Sequence, residues 1–472
     1  MPVSEPGGWS DGLLEAGLGS PDAAGLLGWP TRVARMLEVE VALARVQARH
    51  GIISDDKATA IAAAADPAQL DLGSLAEAAA GAASPVIALL DQLRVQVPPE
   101  VSAVIHHGAT SQDIIDSAVM LQVRDALGLL ESQLIVLADR CAELADAHRA
   151  TVMAGRTLKQ QAVPITFGLL AARWLGMLDR RLTSLRQGRP RILALQFGGA
   201  AGTLGVFADV GPALAQELAD DLGLPAPDLP WHAERDRIVE LAGLLAAVGT
   251  VTSKIAKDVV ELSATEVGEV ITVPRGGPGS SAMPHKGRNP VDAMAARAAA
   301  RLAGGEIATL LAAAGEHEHE RAAGAWQAEW VALPSALVRT IGAVERLRAA
   351  VAVLEVDPDR GRRNLDANLG LAASEALATA LAATLGRPAA QALTAEVVEV
   401  AVRQGRSLVD AAADDGRVLE VLAAHEVAAV CDPTRSLTNV DALIEAALAT
   451  HRTVLSEGGP AVPGTGEDGG AG

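Results

Sequence analysis

One stretch of the chain decides how the rest is interpreted: Gly279-Ser280-Ser281-Ala282-Met283-Pro284-His285-Lys286. It lies in a segment, 274–290, that is crowded with Gly and Pro and is therefore predicted to be a loop. Long helical patterns lie on both sides, from about residue 235 to 268 and from about 290 to 314. A polar loop between two such helices is a candidate place for chemistry.

Outside that loop the sequence predicts an all-α fold. Half of the residues are hydrophobic but only 2% are aromatic, so the core has to be built from Ala, Leu and Val, which suit close helix packing. No alternation of β-branched residues is long enough to indicate a sheet. We predict a long central helical bundle that contains the loop (101–350), flanked by an N-terminal helical domain (1–100), a C-terminal helical domain (351–457) and a disordered tail (458–472).

The N-terminal region allows two local predictions. The first thirty residues are rich in Gly, Pro and Asp and are predicted to be irregular. A helix is predicted to follow from Thr31 to His50, with Thr31 as the N-cap and Gly51 just beyond the C-terminus. Because a few long apolar helices leave much of their surface uncovered, we also expect a homo-oligomer.

Charge and composition exclude several classes of partner. The net charge of -19 argues against nucleic acid and against anionic membranes, since both would repel the protein. The first eleven residues lack the features of a signal peptide, and the longest uncharged apolar runs are shorter than the roughly 20 residues that span a bilayer. The protein is therefore expected to bind no membrane and to be cytoplasmic.

Neither cysteines nor histidines form a metal-binding pattern. Cys141 and Cys431 have no CxxC or Cys/His spacing, so they indicate neither a disulfide framework nor a zinc site. The segment His317-Glu318-His319-Glu320 contains ligand-type side chains, but residues two apart do not face each other on a helix. We predict no metal.

The stretch quoted first closely resembles the signature of the fumarase/aspartase superfamily, Gly-Ser-Ser-x-Met-Pro-x-Lys-x-Asn-Pro. Thr110-Ser111-Gln112-Asp113 resembles the first signature region of that superfamily, and Gly155-Arg156-Thr157 resembles the second. The resemblance covers residues 31–448. It implies a fumarase/aspartase-like bundle, a small-molecule polycarboxylate substrate, no cofactor, and a homotetramer with active sites at subunit junctions.

A finer resemblance is to the 3-carboxy-cis,cis-muconate cycloisomerase branch of that superfamily. It is carried by the stretches 106–113, 196–204, 230–232, 318–321 and 326–330. The branch implies a lactonising reaction in protocatechuate breakdown, with a proton removed or added beside a carboxylate.

The resemblance also implies roles for individual residues. Ser280 aligns with the general base of the superfamily, and a serine oxyanion needs several donors to stabilise it, which the Gly-rich backbone and Lys286 can supply. Asn289-Pro290 is predicted to be the N-cap and first residue of the next helix, whose N-terminus adds positive potential for a carboxylate. The implied substrate-binding residues are Thr110, Ser111, Gln112, Thr157, Gln160, Ser281, Met283, Arg288 and Asn289.

Two candidate residues keep alternative roles. Arg156 either pairs with a substrate carboxylate or forms a structural salt bridge. His106 matches a superfamily histidine near the substrate, as a third catalytic candidate beside Ser280 and Lys286, but a capping or core role is equally compatible with the sequence.

Leu158 occupies the place where fumarases, aspartases and adenylosuccinate lyases are implied to carry an acid histidine. Hydroxide and amine leaving groups have conjugate acids with pKa values of about 15.7 and about 10, so they need a proton to depart. A carboxylate, with a pKa of about 4, does not. Leu158 therefore favours a carboxylate leaving group, as in cycloisomerisation, over the fumarase and adenylosuccinate reactions.

Other functions stay open at this point. Another lyase with a weakly basic leaving group, such as nitrite from a nitrosuccinate, satisfies the same condition, and a catalytically inactive scaffold is a further alternative. The superfamily pattern has one residue between its Lys and Asn, whereas Gly287 and Arg288 separate Lys286 from Asn289. The extra residue lengthens the loop where Lys286 has to be aimed, so Arg288 is a second candidate for its role.

Overall fold

The computed structural model describes residues 17–82, 84–272, 281, 283 and 288–457, and helices dominate it, which confirms the predicted all-α fold. Ser280, Lys286 and the predicted tail 458–472 lie outside these residues. The helices and strands are α1 (Pro21–Leu27), α2 (Trp29–Arg49), α3 (Asp55–Ala64), α4 (Leu72–Ala82), α5 (Val86–Arg94), α6 (Pro99–Ser102), α7 (Ser111–Ala147), β1 (Val152–Thr157), β2 (Gln160–Thr166), α8 (Phe167–Ile192), α9 (Gly211–Leu222), α10 (Asp236–Leu262), β3 (Val270–Thr272), α11 (Val291–Ala314), α12 (Ala325–Ala352), β4 (Leu354–Val356), α13 (Pro358–Asp366), α14 (Ser374–Leu385), α15 (Arg387–Gln404), α16 (Leu408–Ala413), α17 (Gly416–Leu419), α18 (Ala424–Val430) and α19 (Val440–Ser456).

The chain forms two compact units. The first unit contains Met1–Leu134, Arg181–Lys254 and Ala295–Leu347; the second contains Ile135–Arg180, Ile255–Met294 and Arg348–Gly472. Each unit is thus built from three separate stretches of sequence. The division into domains at residues 100, 350 and 457 stays a prediction.

Residues 17–30 are more regular than predicted, and the rest of the first thirty residues lie outside the described structure. Helix α1 forms within the first thirty residues, and the Ser20 hydroxyl caps it by accepting the Ala23 N–H at 3.2 Å. Helix α2 begins at Trp29, two residues before the predicted start, because Pro30 fits the first turn of a helix. Thr31 is therefore not the N-cap.

The C-terminal end of helix α2 agrees with its prediction. Gly51 adopts a left-handed φ of +69° and donates its N–H to the Ala48 carbonyl at 2.9 Å, as a residue just past a helix does.

A β-hairpin that the sequence did not predict interrupts the helices of the second unit. Strands β1 and β2 pair antiparallel, with an irregular register around Gly155. A Cβ at Gly155 would lie 2.5 Å from the Val163 carbonyl oxygen, so only glycine allows the two strands to approach this closely. The signature stretch Gly155-Arg156-Thr157 is therefore part of one strand of a hairpin.

The core is made mainly of aliphatic residues, as the composition predicts. In the second unit, helices α14 to α18 pack around one cluster of buried side chains: Leu377, Leu381, Ala390, Leu393, Val397, Ala401, Leu408, Ala411, Ala412, Val418, Val427 and Cys431. Burial of this apolar surface, rather than intrinsic helix propensity, stabilises such short helices.

Helix α10 is the one described helix that is long and apolar enough to cross a membrane by length and composition. Half of its most apolar window is buried inside the protein, and Leu241, Leu245 and Val248 are fully buried. A core helix passes the same test, so α10 does not by itself indicate a membrane protein.

Candidate active site

The start of helix α7 is fixed at both its backbone and its side chains. Thr110 donates its N–H to Asp113 Oδ2 at 3.0 Å, as the N-cap residue of a capping box does. Its hydroxyl accepts a hydrogen bond from Arg321 Nη1 at 2.9 Å. A hydroxyl has one proton to donate, so this arrangement leaves the proton of Thr110 available for a carboxylate. Ser111 is the first residue of the helix and is partly exposed.

Gln112 points into the protein rather than toward solvent. Its side chain is fully buried, and its amide nitrogen donates to Asp116 Oδ2 at 3.1 Å and to the His232 carbonyl at 2.8 Å. The predicted substrate-binding residue therefore contacts the interior of the first unit. This geometry suits support of the neighbouring Thr110 and Ser111.

His106 lies on the loop before helix α7 and contacts a buried carboxylate. Its Nδ1 is 2.6 Å from Glu40 Oε1, and Glu40 is almost completely buried. An ionised carboxylate can only accept, so Nδ1 carries the proton of this hydrogen bond and Nε2 is the nitrogen left for other partners. His106 also has a left-handed φ of +64°, which is uncommon for a residue with a Cβ.

A Gly-rich loop, 196–204, lies against the start of helix α7 in the first unit. Gly199 adopts a φ of +73°, and a Cβ there would lie 2.9 Å from the Gly108 carbonyl oxygen. Arg321 joins this loop as well, because its Nη2 donates to the Ala200 carbonyl at 2.9 Å. One guanidinium thus contacts both the Thr110 hydroxyl and the Gly-rich loop.

In the second unit, Arg156 forms a salt bridge within the protein. Its Nη1 and Nη2 lie 2.9 and 2.6 Å from the two carboxylate oxygens of Glu269, a bidentate arrangement. Glu269 is buried and also accepts from Asn364 Nδ2 at 2.8 Å. Of the two roles that the sequence left open for Arg156, the geometry corresponds to the structural salt bridge.

The turn of the hairpin joins β1 to β2 through Leu158 and Lys159. Both residues have left-handed φ angles, +49° and +68°, in a two-residue turn that normally favours Asn-Gly. The Leu158 side chain is 98% exposed. Thr157 and Gln160 flank the turn and are exposed, so their side chains are accessible to a ligand.

The Lys159 side chain contacts a small charged cluster on helix α10, which consists of Lys257 and Glu261. It forms an ion pair with Glu261, which also accepts from Lys257 Nζ at 2.7 Å. Hydrogen bonds from Lys159 and then from Lys257 lower the pKa of Glu261 to about 2. Glu261 therefore stays ionised throughout the physiological range, and the hairpin turn keeps a charged partner.

Five residues of the loop 274–290 fall within the described structure, and four of them are predicted site residues. Ser281 Oγ accepts the Met283 N–H at 3.1 Å, and the Met283 side chain is exposed. Arg288 is exposed and Asn289 is partly exposed. Helix α11 begins at Val291, one residue later than predicted, with the Pro290 carbonyl accepting the Met294 N–H at 3.0 Å.

Comparison with known proteins identifies the family. The sequence matches a family described as Lyase over residues 31–305. It is 42% identical over 434 residues to 3-carboxy-cis,cis-muconate cycloisomerase of Pseudomonas aeruginosa, covering 91% of this chain and 94% of that protein. The chain belongs to the fumarase/aspartase superfamily of lyases.

Two further proteins are similar to this chain over nearly its whole length. Nitrosuccinate lyase of Streptomyces davaonensis is 39% identical over 463 residues, covering 92% of this chain and 95% of that protein. The crystal structure of 3-carboxy-cis,cis-muconate lactonizing enzyme from Pseudomonas putida matches with a TM-score of 0.89 and 38% identity, over 94% of this chain and 99% of that one.

The candidate residues of this superfamily member are distributed over both units. The first unit holds His106, Thr110, Ser111 and Gln112; the second holds Arg156, Thr157, Gln160, Ser281, Met283, Arg288 and Asn289. Within the first unit, the stretches 106–113, 196–204, 230–232 and 318–321, which are far apart in sequence, come into contact. These are four of the stretches that carried the finer resemblance.

Arg321 and Glu269, like Glu40 and Asp113, contact candidate residues but are not among the predicted site residues. Arg321 lies in the resembling stretch 318–321, whereas Glu269 lies outside all of the resembling stretches. Apart from that resemblance, the sequence signal for Arg321 is its position in the polar segment 315–324 between helices α11 and α12, since its partner Thr110 is 211 residues away.

The part of the chain that the structure describes contains no group of three or more His, Cys, Asp or Glu residues that could hold a metal. His317 is buried and bonds Glu329 through Nε2 at 3.1 Å, and His319 lies on a loop with a φ of +49°. Cys141 and Cys431 are buried free thiols, and burial raises the pKa of Cys141 to about 12. Neither thiol is suited to nucleophilic chemistry.

Proposed function

We propose that the protein is a 3-carboxy-cis,cis-muconate cycloisomerase, which closes a lactone by adding one carboxylate of its substrate across a C=C bond. The observation that carries the proposal is Leu158, which stands exposed at the hairpin turn where related lyases are implied to carry an acid histidine. A leucine cannot protonate a basic leaving group. A carboxylate leaving group, with a pKa of about 4, needs no proton, and the sequence relatives named above include enzymes of this specificity.

The chemistry is a reversible addition. In the lactonising direction, a carboxylate oxygen of the substrate forms a C–O bond, and the electron pair of the C=C bond moves to the carbon beside another carboxylate. That carbon then takes up a proton from Ser280, and the resulting serine oxyanion regains a proton from solvent. In reverse, the Ser280 oxyanion removes this proton, the electron pair left on the carbon re-forms the C=C bond, and the C–O bond breaks with its own pair leaving on the carboxylate oxygen. No oxidant, reductant or cofactor enters the balance.

The remaining residues are proposed to bind the substrate carboxylates. Thr110, Ser111 and Thr157 donate hydroxyl protons, and Lys286 together with Arg288 supplies positive charge. Gln160, Ser281, Met283 and Asn289 line the site. His106, held by Glu40, offers its Nε2 to the substrate. Gln112 and Arg156 are proposed to support these residues without touching the substrate, because Gln112 is buried and Arg156 is paired with Glu269.

We propose a cytoplasmic homotetramer whose active sites form at subunit junctions. Support comes from apolar side chains that are exposed in the single chain on the long helices: Val239, Val291, Met294, Leu302, Leu311 and Val331. Exposed apolar residues on long helices are what a helical oligomer interface buries.

The test is loss of the ultraviolet absorbance of 3-carboxy-cis,cis-muconate with purified protein and no added metal. Wild type should consume the substrate, and Ser280→Ala should lose about 10²- to 10⁴-fold in kcat, as expected for removal of the group that transfers the proton. Ser184→Ala, a serine on helix α8 outside the site, serves as the control. An inert wild type would refute the proposal.

A second candidate is a lyase that releases nitrite from nitrosuccinate. The similarity to nitrosuccinate lyase over nearly the whole chain favours it, and nitrite is also a weakly basic leaving group that needs no acid at position 158. Parallel assays of nitrite release and of muconate consumption distinguish the two. The substrate with the higher kcat/KM decides the assignment.

A further inference from the structure

Asp113 carries a buried charge with an unusual set of partners. Its side chain is fully buried, and none of the described Lys or Arg side chains forms an ion pair with it. A buried carboxylate of this kind is costly unless hydrogen bonds satisfy its oxygens. His232 is its one ionisable partner, with Nε2 at 2.8 Å from Oδ1.

Five N–H groups donate to this single carboxylate. Oδ1 accepts from the Gly198 N–H at 3.0 Å, from Gln196 Nε2 at 3.2 Å and from His232 Nε2. Oδ2 accepts from the Thr110 N–H at 3.0 Å and from the Gly199 N–H at 2.9 Å. Both oxygens are therefore fully used, and each one joins helix α7 to the Gly-rich loop.

The partners belong to three segments that are distant in sequence. Gly198 and Gly199 lie 85 and 86 residues from Asp113, and His232 lies 119 residues away. Thr110 lies one turn before Asp113, at the point where the chain enters α7. Asp113 thus connects the residue proposed to bind a substrate carboxylate to both other segments.

We propose that Asp113 is a positioning residue, whose carboxylate holds Thr110 and the Gly198–Gly199 backbone in the arrangement that receives a substrate carboxylate. The inference rests on the proposed function, in which Thr110 and Ser111 bind that carboxylate. Asp113 does not touch the substrate. It acts by fixing the Thr110 backbone, while Arg321 fixes the hydroxyl.

Asparagine cannot replace this carboxylate. An amide has one acceptor oxygen, and its NH₂ group would face either the two donors at the Oδ2 position or the three at the Oδ1 position. Two or three N–H groups would lose their acceptor in a dry environment. The substitution Asp113→Asn therefore keeps the size and shape of the side chain but removes two or three of the hydrogen bonds that the carboxylate accepts.

The experiment compares steady-state kinetics of Asp113→Asn with those of Asp179→Asn. Asp179 is also a buried carboxylate on a histidine, His451, but it lies in the second unit and has no bond to Thr110. Asp113→Asn should raise KM about tenfold or more with a smaller change in kcat, since it disturbs binding geometry rather than the base. Asp179→Asn should lower thermal stability while KM stays within about twofold of wild type.

A double-mutant cycle with Thr110→Val separates positioning from a general structural effect. If Asp113 acts through Thr110, the two substitutions together should raise KM little more than Asp113→Asn does alone. Multiplicative effects, or an unchanged KM in Asp113→Asn, would overturn the inference. If Asp113→Asn does not fold, His232→Phe removes one donor and should raise KM by a smaller factor in the same non-multiplicative way.

Different results would refute the proposed function and the positioning role of Asp113. Kinetics are measured on whichever of 3-carboxy-cis,cis-muconate and nitrosuccinate wild type converts, so a changed substrate leaves the Asp113 test intact. Wild type that converts a substrate, with Asp113→Asn at wild-type KM, refutes only the positioning role. Wild type that converts neither substrate refutes both proposals.

Discussion

The hydroxyl of Thr110 shows how one contact can determine what a side chain offers a ligand. Arg321 donates to it, so one of its lone pairs is occupied and its proton is directed elsewhere. A polycarboxylate provides acceptors only. The residue is therefore prepared as a donor before any substrate arrives, and an arginine 211 residues away in sequence is responsible.

Replacing Thr110 by valine tests this donor. Valine keeps the shape of threonine but cannot donate, so kcat/KM should fall about tenfold to a hundredfold, the cost of a hydrogen bond to a charged group. Steady-state kinetics of wild type and variant give kcat and KM, and hence their ratio. Thr250→Val is the matched control, because the Thr250 hydroxyl bonds only the Ala246 carbonyl of its own helix. Equal kcat/KM in wild type and Thr110→Val would contradict the role.

Leu158 has a left-handed backbone conformation, which is unfavourable for a leucine. A left-handed backbone costs a residue with a Cβ about 1 kcal/mol, and the exposed side chain recovers little of that by packing. Leu158→Asn should therefore raise the free energy of unfolding by about 0.5 to 1 kcal/mol, measured by urea denaturation. Leu443→Asn makes the same change at an exposed position in helix α19, where asparagine should destabilise instead. A loss of stability in Leu158→Asn would show that the leucine contributes a contact of its own.

Among the elements, the long helices follow from the sequence and the hairpin does not. Apolar periodicity predicts α11 to within one residue and α10 to within about six, because each buries a continuous face. The hairpin depends on a close approach between Gly155 and the Val163 carbonyl, which has no local signature. The candidate site divides in the same way: a motif predicts Thr110 and Ser111, whereas Arg321 and Glu269 contact candidate residues that are far away along the chain.

Glu269 stabilises the hairpin through the bidentate pair with Arg156. Glu269→Gln would leave the partly buried guanidinium with a neutral partner, so the free energy of unfolding should fall by about 2 kcal/mol, discounted from the value for a fully buried pair. Urea denaturation measures the change. Asp366→Asn breaks the exposed pair with Arg362 and should cost at most about 0.5 kcal/mol. Similar losses in both variants would mean that the hairpin does not depend on Glu269.

For the molecule as a whole, the last helix introduces a dependence on pH. His451 of α19 bonds Asp179 of α8 at 2.8 Å and Asp139 of α7 at 3.0 Å, all within the second unit. The hydrogen bond with Asp179, followed by that with Asp139, raises the pKa of His451 above its usual 6.5 despite the opposing effect of burial. The protonated imidazole therefore stabilises the folded chain fully below pH 6.5, and this contribution is lost as the pH rises through the raised pKa.

Urea denaturation at a series of pH values tests this dependence. The free energy of unfolding should decline as the pH rises above 6.5, and His451→Gln should remove that part of the decline because glutamine does not titrate. His425→Gln is the control, since that histidine is exposed on helix α18. The same pH profile in wild type and His451→Gln would exclude the contribution.

The distribution of candidate residues over two units leads to a test at the level of the oligomer. If active sites form at subunit junctions, a site can take Ser280 from one subunit and Thr110 with Ser111 from another. Ser280→Ala and the double variant Thr110→Ala, Ser111→Ala should each be nearly inactive alone. After unfolding and refolding together, about a quarter of the sites should be intact, because each of the two contributing subunits has an even chance of carrying the native residue. The recovered kcat should then approach a quarter of the wild-type value, whereas sites built within one subunit would recover no activity at all. Refolding of each variant alone gives the baseline, and sedimentation velocity of the mixture shows whether the active species is the tetramer.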